Sequence, residues 1–362
     1  MSEQKVIASK TKRGNFFEDF YLGMQIEHAT PRTVTSGDQA LYTALYGSRF
    51  ALSSSDEFAR SIGLERSPVD DCLAFHIVFG KTVPDISLNA IANLGYGEGV
   101  FGVPLYPGDT VTTTSEVIGV KENSNGKTGV VYVRSTGCNQ RGEEVLSYVR
   151  WVMVRKRSVD SPAPETVVPN LVKVVSVEEL TLPDSLNMSE FDEKLSGSPY
   201  RWGDYEVGEK IVHVDGMTIE EAEHQMATRL YQNTAKVHFN NHTESQGRFG
   251  KRLIYGGHII SLARALSFNG MENAIKIAAI NGGTHVAPTF AGDTIYAWSE
   301  VLEKIELPEK NGPSSRNDLG ALRVRLVGTK NNDCASRPLR QEDGRYHPDV
   351  VLDFDYTVLM PK

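Results

Sequence analysis

The chain has 362 residues, 40% of them hydrophobic and 23% charged, which is too long for one ordinary core and suits two globular domains. Its 46 acidic against 38 basic side chains leave a net charge of −8, which argues against a nucleic-acid groove and against docking on anionic lipid. Cys72, Cys138 and Cys334 match no disulfide or zinc spacing and point to a reducing, cytoplasmic setting, and no signal-peptide core or membrane-length apolar run occurs.

In chain order, the first half opens with a short extended segment after Gly23, then a helical stretch around Ala40–Tyr46. A polar, irregular segment follows, and then an apolar helix after Asp70-Asp71, adjacent acids that read as helix caps. Strands complete the half, and in the last of them Val149, Trp151 and Met153 alternate as one face. Ser158–Ser198 reads as a linker, with SPAPE, TLPDS and SGSP as breakers; within it VPNLVKVVSVEEL predicts a strand or a short helix. The second half repeats the order. A helical stretch covers Glu220–Tyr231, and a buried helix opens at Gly256-Gly257, where Ile259, Ile260, Leu262, Ala263 and Leu266 cover most of its surface. Leu322, Val324 and Leu326 alternate with Arg323 and Arg325, as Leu352, Phe354, Tyr356, Val358 and Met360 do with their neighbours. Such period-2 patterns predict antiparallel sheets with one buried face. Pro308–Asp318 between two of these strands predicts a mobile hairpin loop.

The halves are copies of each other. Asn89–Ile118 and Asn273–Leu302 align without a gap at an offset of 184, with 11 of 30 positions identical. Gly23, Ile26, His28, Thr33 and Leu45-Tyr46 match Gly208, Ile211, His213, Thr218 and Leu230-Tyr231 at an offset of 185. The predicted fold class is α+β: two tandem units, each a buried helix wrapped by a curled antiparallel sheet, which is the hot-dog arrangement. The boundaries are residues 1–157, a linker over 158–198, and residues 199–362.

The VPLYPGDT and APTFAGDT turns resemble the sheet entry of MaoC-like hot-dog proteins. More narrowly, GNFFEDFYLG, YGSRFALSSSDEFARS, FHIVFGKTVPDISLNAIANLGY, SEVIGVKENSNGKTGVVYVRSTG and YQNTAKVHFNNHTESQGRFGKRLIYGGHIISLARALSFNG resemble the mesaconyl-CoA (2-methylfumaryl-CoA) hydratases, also called β-methylmalyl-CoA dehydratases. The resemblance runs over nearly the whole chain. It implies reversible addition of water to an acyl-CoA thioester, without metal or organic cofactor, and a possible homodimer of double domains.

Hydration of a thioester-conjugated double bond needs a polarised thioester oxygen, a held and deprotonated water, and a proton for the α-carbon. MaoC-type hydratases carry Asp-x-Asn-Pro-x-His, and here that pattern falls on Asn233-Thr234-Ala235-Lys236-Val237-His238. The His is kept and the Asp is Asn. In the first copy the equivalents are Ser48 and Ser53, so the working site is expected in the second copy. His238 is then the base and proton shuttle, and Asn233, which cannot take a proton from water, orients the water. A structural histidine and a turn-capping asparagine are the competing readings. Unpaired N–H groups of Gly256 and Gly257 suit a thioester oxyanion, although close packing also demands small residues there. Arg248, Lys251, Arg252 and His285 (which stands in the place of Phe101) are candidates to hold a distal carboxylate. His238 and His242 are four apart, but no third ligand completes a metal site. An R-specific enoyl-CoA hydratase, a hot-dog thioesterase and a non-catalytic acyl-CoA sensor stay open as alternatives.

Overall fold

The computed structural model describes residues 10–309, 315–334 and 338–362. Ten strands form a single sheet: β1 Gln25–Thr33, β2 Ala90–Phe101, β3 Thr110–Glu122, β4 Thr128–Cys138, β5 Glu144–Arg155, β6 Lys210–Thr218, β7 Lys276–His285, β8 Thr294–Pro308, β9 Ser315–Lys330 and β10 Val350–Pro361. Their order in the sheet is β1-β3-β4-β5-β2-β7-β10-β9-β8-β6. The five strands of the first copy are followed by their equivalents in reverse order, as a two-fold axis between β2 and β7 requires.

The seam obeys that symmetry residue by residue. Tyr96 pairs with Gly283 and Gly99 with Ile280, and the 184-residue offset exchanges one pair for the other. Matching side-chain bonds recur in both copies. Asp109 accepts from the Tyr106 N–H and Asp293 from the Phe290 N–H, both at 2.9 Å. His28 reaches Ser115 Oγ and His213 reaches Ser299 Oγ, both at 2.8 Å.

Inside each curled half lies one apolar helix, Asp71–Thr82 in the first copy and Gly256–Leu266 in the second. Every residue from Cys72 to Thr82 and from Gly257 to Leu266 is buried, as a helix wrapped on all sides demands. This is the double hot-dog arrangement expected from the repeat. Leu322, Val324 and Leu326 are fully buried while Arg323 bonds Asp355 on the outer face. Each such apolar side chain stabilises by about 1.5–3 kcal/mol. A one-residue slip would exchange them for arginines, so the register is fixed.

Three expectations need adjustment. In β5, Val149 of the expected face is fully buried, but from there on the buried side chains are Arg150, Val152 and Val154, in line with Tyr148, whereas Trp151 and Met153 are half-buried. Trp151 stacks on Tyr132 and leans over Gly95, where no side chain competes for the space. Strand β8 runs to Pro308 and β9 starts at Ser315, so both ends of the supposed loop are strand, and residues 310–314 lie outside the described residues. Asp70 does cap the first central helix, accepting from the Cys72 N–H at 2.9 Å, but Asp71 reaches across to the second copy. There it accepts from Lys276 Nζ at 2.7 Å and from the Ile277 N–H at 2.8 Å.

The stretch between β5 and β6 is mostly irregular and runs over the sheet. Val167 bridges to Val120, the Val172 N–H donates to Glu98, the Val175 N–H donates to Asn281, and a 3-10 turn spans Val177–Glu179. It therefore touches strands of both copies.

Candidate active site

Asn233 and His238 stand at the two ends of the turn that follows helix Glu221–Leu230, and both are buried. The first copy makes room for that turn. A Cβ on Gly80, in the first central helix, would lie 1.8 Å from the Tyr231 carbonyl oxygen, so only glycine allows this approach.

The histidine's tautomer follows from its partner. His238 Nδ1 lies 2.9 Å from the Leu253 carbonyl, which can only accept, so Nδ1 carries the proton and Nε2 presents its lone pair. Burial pushes its pKa down to about 4, with the Leu253 carbonyl opposing; the ring is a neutral base at pH 7. Asn233 Oδ1 accepts from the Ala235 N–H at 3.1 Å, which orients the amide and leaves Nδ2 buried without a partner. Turn-capping and water-holding are thus compatible: the oxygen does the first and the amide nitrogen is left for the second.

The start of the second central helix is open. Its N-cap is Tyr255, with no side chain bonded to the first-turn N–H groups. A Cβ on Gly256 would sit 2.5 Å from the ring of His285, and one on Gly257 would sit 2.5 Å from His76 of the first copy. Both glycines are therefore sterically required, and their N–H groups are also the ones a thioester oxygen would use. Close packing and oxyanion binding are not rivals here.

His285 Nε2 shares a 3.1 Å hydrogen bond with Tyr96 Oη, from β2 of the first copy. Burial first, and then the neighbouring His238, hold its pKa down at about 4. Of the basic candidates, Arg248 is exposed and stacks 5.1 Å from the centroid of the Phe249 ring. Lys251 is likewise exposed, over Phe290. Arg252 is half-buried, forms an ion pair with Glu221 and donates to the Phe239 carbonyl at 3.4 Å. None of these bonds joins them to Asn233, His285 or the two glycines.

The sequence reading missed a core of rings that joins the copies. Tyr46 Oη lies 2.6 Å from Tyr231 Oη and 2.7 Å from His258 Nδ1. His224 Nε2 accepts from the Tyr255 N–H at 2.9 Å, fixing the N-cap residue. His76 bonds Ser261 at 2.8 Å and Tyr255 at 3.3 Å. Desolvation lowers His224 to about 2 and both His76 and His258 to about 3. The repeated Leu-Tyr at 45–46 and 230–231 was the available signal, because a tyrosine kept in both copies can meet itself across the axis. Among the described residues, no group of three or more His, Cys, Asp or Glu side chains is disposed to hold a metal. No helix among them is long and apolar enough to cross a membrane.

The family model described as mesaconyl-CoA hydratase matches residues 4–333. The chain is 65% identical to a beta-methylmalyl-CoA dehydratase of Chloroflexus aurantiacus, over 98% of this chain and 99% of that one. It is 58% identical to a mesaconyl-CoA hydratase of Cereibacter sphaeroides, over 98% of this chain and 100% of that one. A crystal structure of a MaoC domain protein dehydratase from Chloroflexus aurantiacus superposes with a TM-score of 0.94 at 65% identity, covering 98% of this chain and 99% of that one. With a family match over most of its length and relatives this similar end to end, the chain belongs to the mesaconyl-CoA hydratase family of MaoC-like double hot-dog hydro-lyases.

Proposed function

We propose that this protein reversibly hydrates mesaconyl-CoA to β-methylmalyl-CoA at the site in its second copy. The observation that carries the reading is His238, held by Leu253 with Nε2 unprotonated, in one turn with the unpartnered Nδ2 of Asn233. The Asn233 amide N–H donates to a water, which gives one proton to His238 Nε2 while its oxygen bonds to the β-carbon. Charge moves to the thioester oxygen, where the N–H groups of Gly256 and Gly257 receive it. The His238 imidazolium then returns the proton to the α-carbon, so one water is consumed and the addition is syn. His238 lies too deep to be protonated beforehand, which suits a base that starts the reaction empty-handed.

The test is the loss of the conjugated thioester absorbance with mesaconyl-CoA, with crotonyl-CoA and acetyl-CoA in parallel. Turnover of mesaconyl-CoA well above crotonyl-CoA supports the reading. Equal turnover of the two leaves a general enoyl-CoA hydratase, thiol release from acetyl-CoA a thioesterase, and binding without turnover a sensor. A cytoplasmic setting, which the three free cysteines suit, and a homodimer of double domains belong to the same proposal.

A further inference from the structure

Arg150 is fully buried on β5. Its guanidinium has five N–H donors but meets only two hydroxyls, Thr82 Oγ1 at 2.7 Å and Ser87 Oγ at 3.3 Å, and its Nε has no partner. The guanidinium carbon lies 4.4 Å above the Phe79 ring. The ionisable groups near enough to influence it are Tyr148, Tyr96 and Tyr255, and no carboxylate is among them. Other arginines in the sheet have acids beside them: Arg323 has Asp355 and Arg134 has Glu98. A guanidinium taken out of water without a countercharge is unfavourable unless another molecule supplies one.

The position of Arg150 relative to the site is fixed by the sheet. Tyr96 on β2 is its cross-strand partner, and both side chains point inward. Tyr96 Oη meets His285, whose ring covers Gly256. Tyr148 Oη, two residues along β5 on the same face, is also buried without a partner. The other half shows the alternative. There the counterpart of Arg150 is Tyr356, paired with Ile280 as Arg150 is with Tyr96. The buried cation comes instead from the helix, where Arg264 stands in the place of Phe79: the Thr82 hydroxyl donates to the Phe79 carbonyl as the Ser267 hydroxyl does to the Arg264 carbonyl. Arg264 is occupied, lying 3.5 Å over the Phe50 ring and donating to Ala274 O and Ser267 Oγ.

We propose that Arg150, contributed by the first copy, binds the distal carboxylate of the acyl-CoA substrate in the site of the second copy. The two carboxylate oxygens match the guanidinium fork, and Tyr148 Oη adds a third donor. The inference rests on the proposed hydratase reading and names its specificity determinant.

The full-length enzyme is assayed with mesaconyl-CoA and with (E)-2-methylbut-2-enoyl-CoA, which carries a methyl in place of the carboxylate. The wild type is expected to prefer the dicarboxylic substrate by at least about 100-fold in kcat/KM. In Arg150→Met that ratio is expected to fall at least about tenfold, chiefly through KM, with Arg150→Lys intermediate. Because both substrates are read on one preparation, partial misfolding cancels from the ratio. A ratio unchanged in an active variant makes Arg150 purely structural and overturns the inference. If Arg150→Met does not fold, the ratio in Arg150→Lys decides in the same way. A wild type indifferent to the carboxylate instead overturns the dicarboxylic substrate reading, and the inference with it.

Discussion

The two central helices start at equivalent places in the two copies, and the starts are finished differently. In the first copy, Asp70 takes the Cys72 N–H at 2.9 Å, and burial beside Asp71 raises the Asp70 pKa to about 6. In the second, the N-cap is Tyr255 and the matching Gly257 N–H has no side-chain cap. Around the first, Ser53 donates to the Phe50 carbonyl where the other half has His238, and Phe101 stands for His285. Arg264, the counterpart of Phe79, lies over the Phe50 ring. About 20 Å³ remains between Asp70, Asp71, Arg264 and Lys276, room for about one water. If His238 is the base and the second helix start receives the thioester, the first copy's site is closed in three ways at once: its base is lost, a helix donor is satisfied internally by Asp70, and little volume is left. The open site shows the reverse of each, and it borrows His76, Gly80 and Tyr96 from the copy whose own site is closed.

Replacing His238 tests this contrast hardest. His238→Ala is expected to lower kcat by about 10²–10⁴-fold, the usual share of one acid–base group. Ser53→Ala, at the equivalent place in the closed site, should leave kcat within about twofold. Comparable losses in both would show that the first copy is not vacated. A smaller effect is expected from Gly80→Ala, whose Cβ would push against the Tyr231 carbonyl and displace Asn233. Misplacing a water-holding group by about an ångström costs roughly 10²-fold, so kcat/KM should fall by about that factor although the substitution lies in the other copy. Unaltered kinetics would show that the turn does not depend on the first copy. Smallest is Asn233→Ala, expected at about tenfold, with Asn233→Asp read by its pH profile. Burial holds the His238 pKa near 4 and the neutral ring is the working form, so activity is lost as pH falls through that value. A carboxylate at 233 favours the imidazolium and raises the pKa, moving the acid limb to higher pH. An acid limb that stays put in an active Asn233→Asp would separate residue 233 from the proton transfers.

The duplication, the buried helices and the strand alternation of β9 and β10 were legible because each depends on a local period or a direct repeat. The face of β5 was not. Trp151 and Met153 outweigh Arg150 in any hydropathy reading, and only the partner strand shows that the arginine faces inward. The site divides along the same line. His238, Asn233 and the glycine pair lie close together in one segment, and the resemblance to MaoC-type hydratases singled them out as candidates. Tyr96, His76 and Gly80 act across the two-fold axis, where sequence separation hides the contact. Arg248 and Arg252 illustrate the converse: nearness in sequence to the glycine pair put them on a carboxylate, but Arg252 is engaged with Glu221 and Arg248 lies on the surface.

The seam between β2 and β7 also bears on how the chain folds. Within each copy, most strands pair with neighbours in sequence, but residues 96 and 283 must meet to join the halves. Such distant pairing forms late, because the intervening chain must first be ordered. Until then β2 and β7 are raw edges with open backbone donors and acceptors, and the rings of His76, Tyr46 and Tyr96 lack their partners. The covalent connection between the copies keeps the two edges at high local concentration. Its crossing over both copies, through Val167, Val172 and Val175, then fastens them, so that the nascent enzyme finds its own second half sooner than it finds another chain.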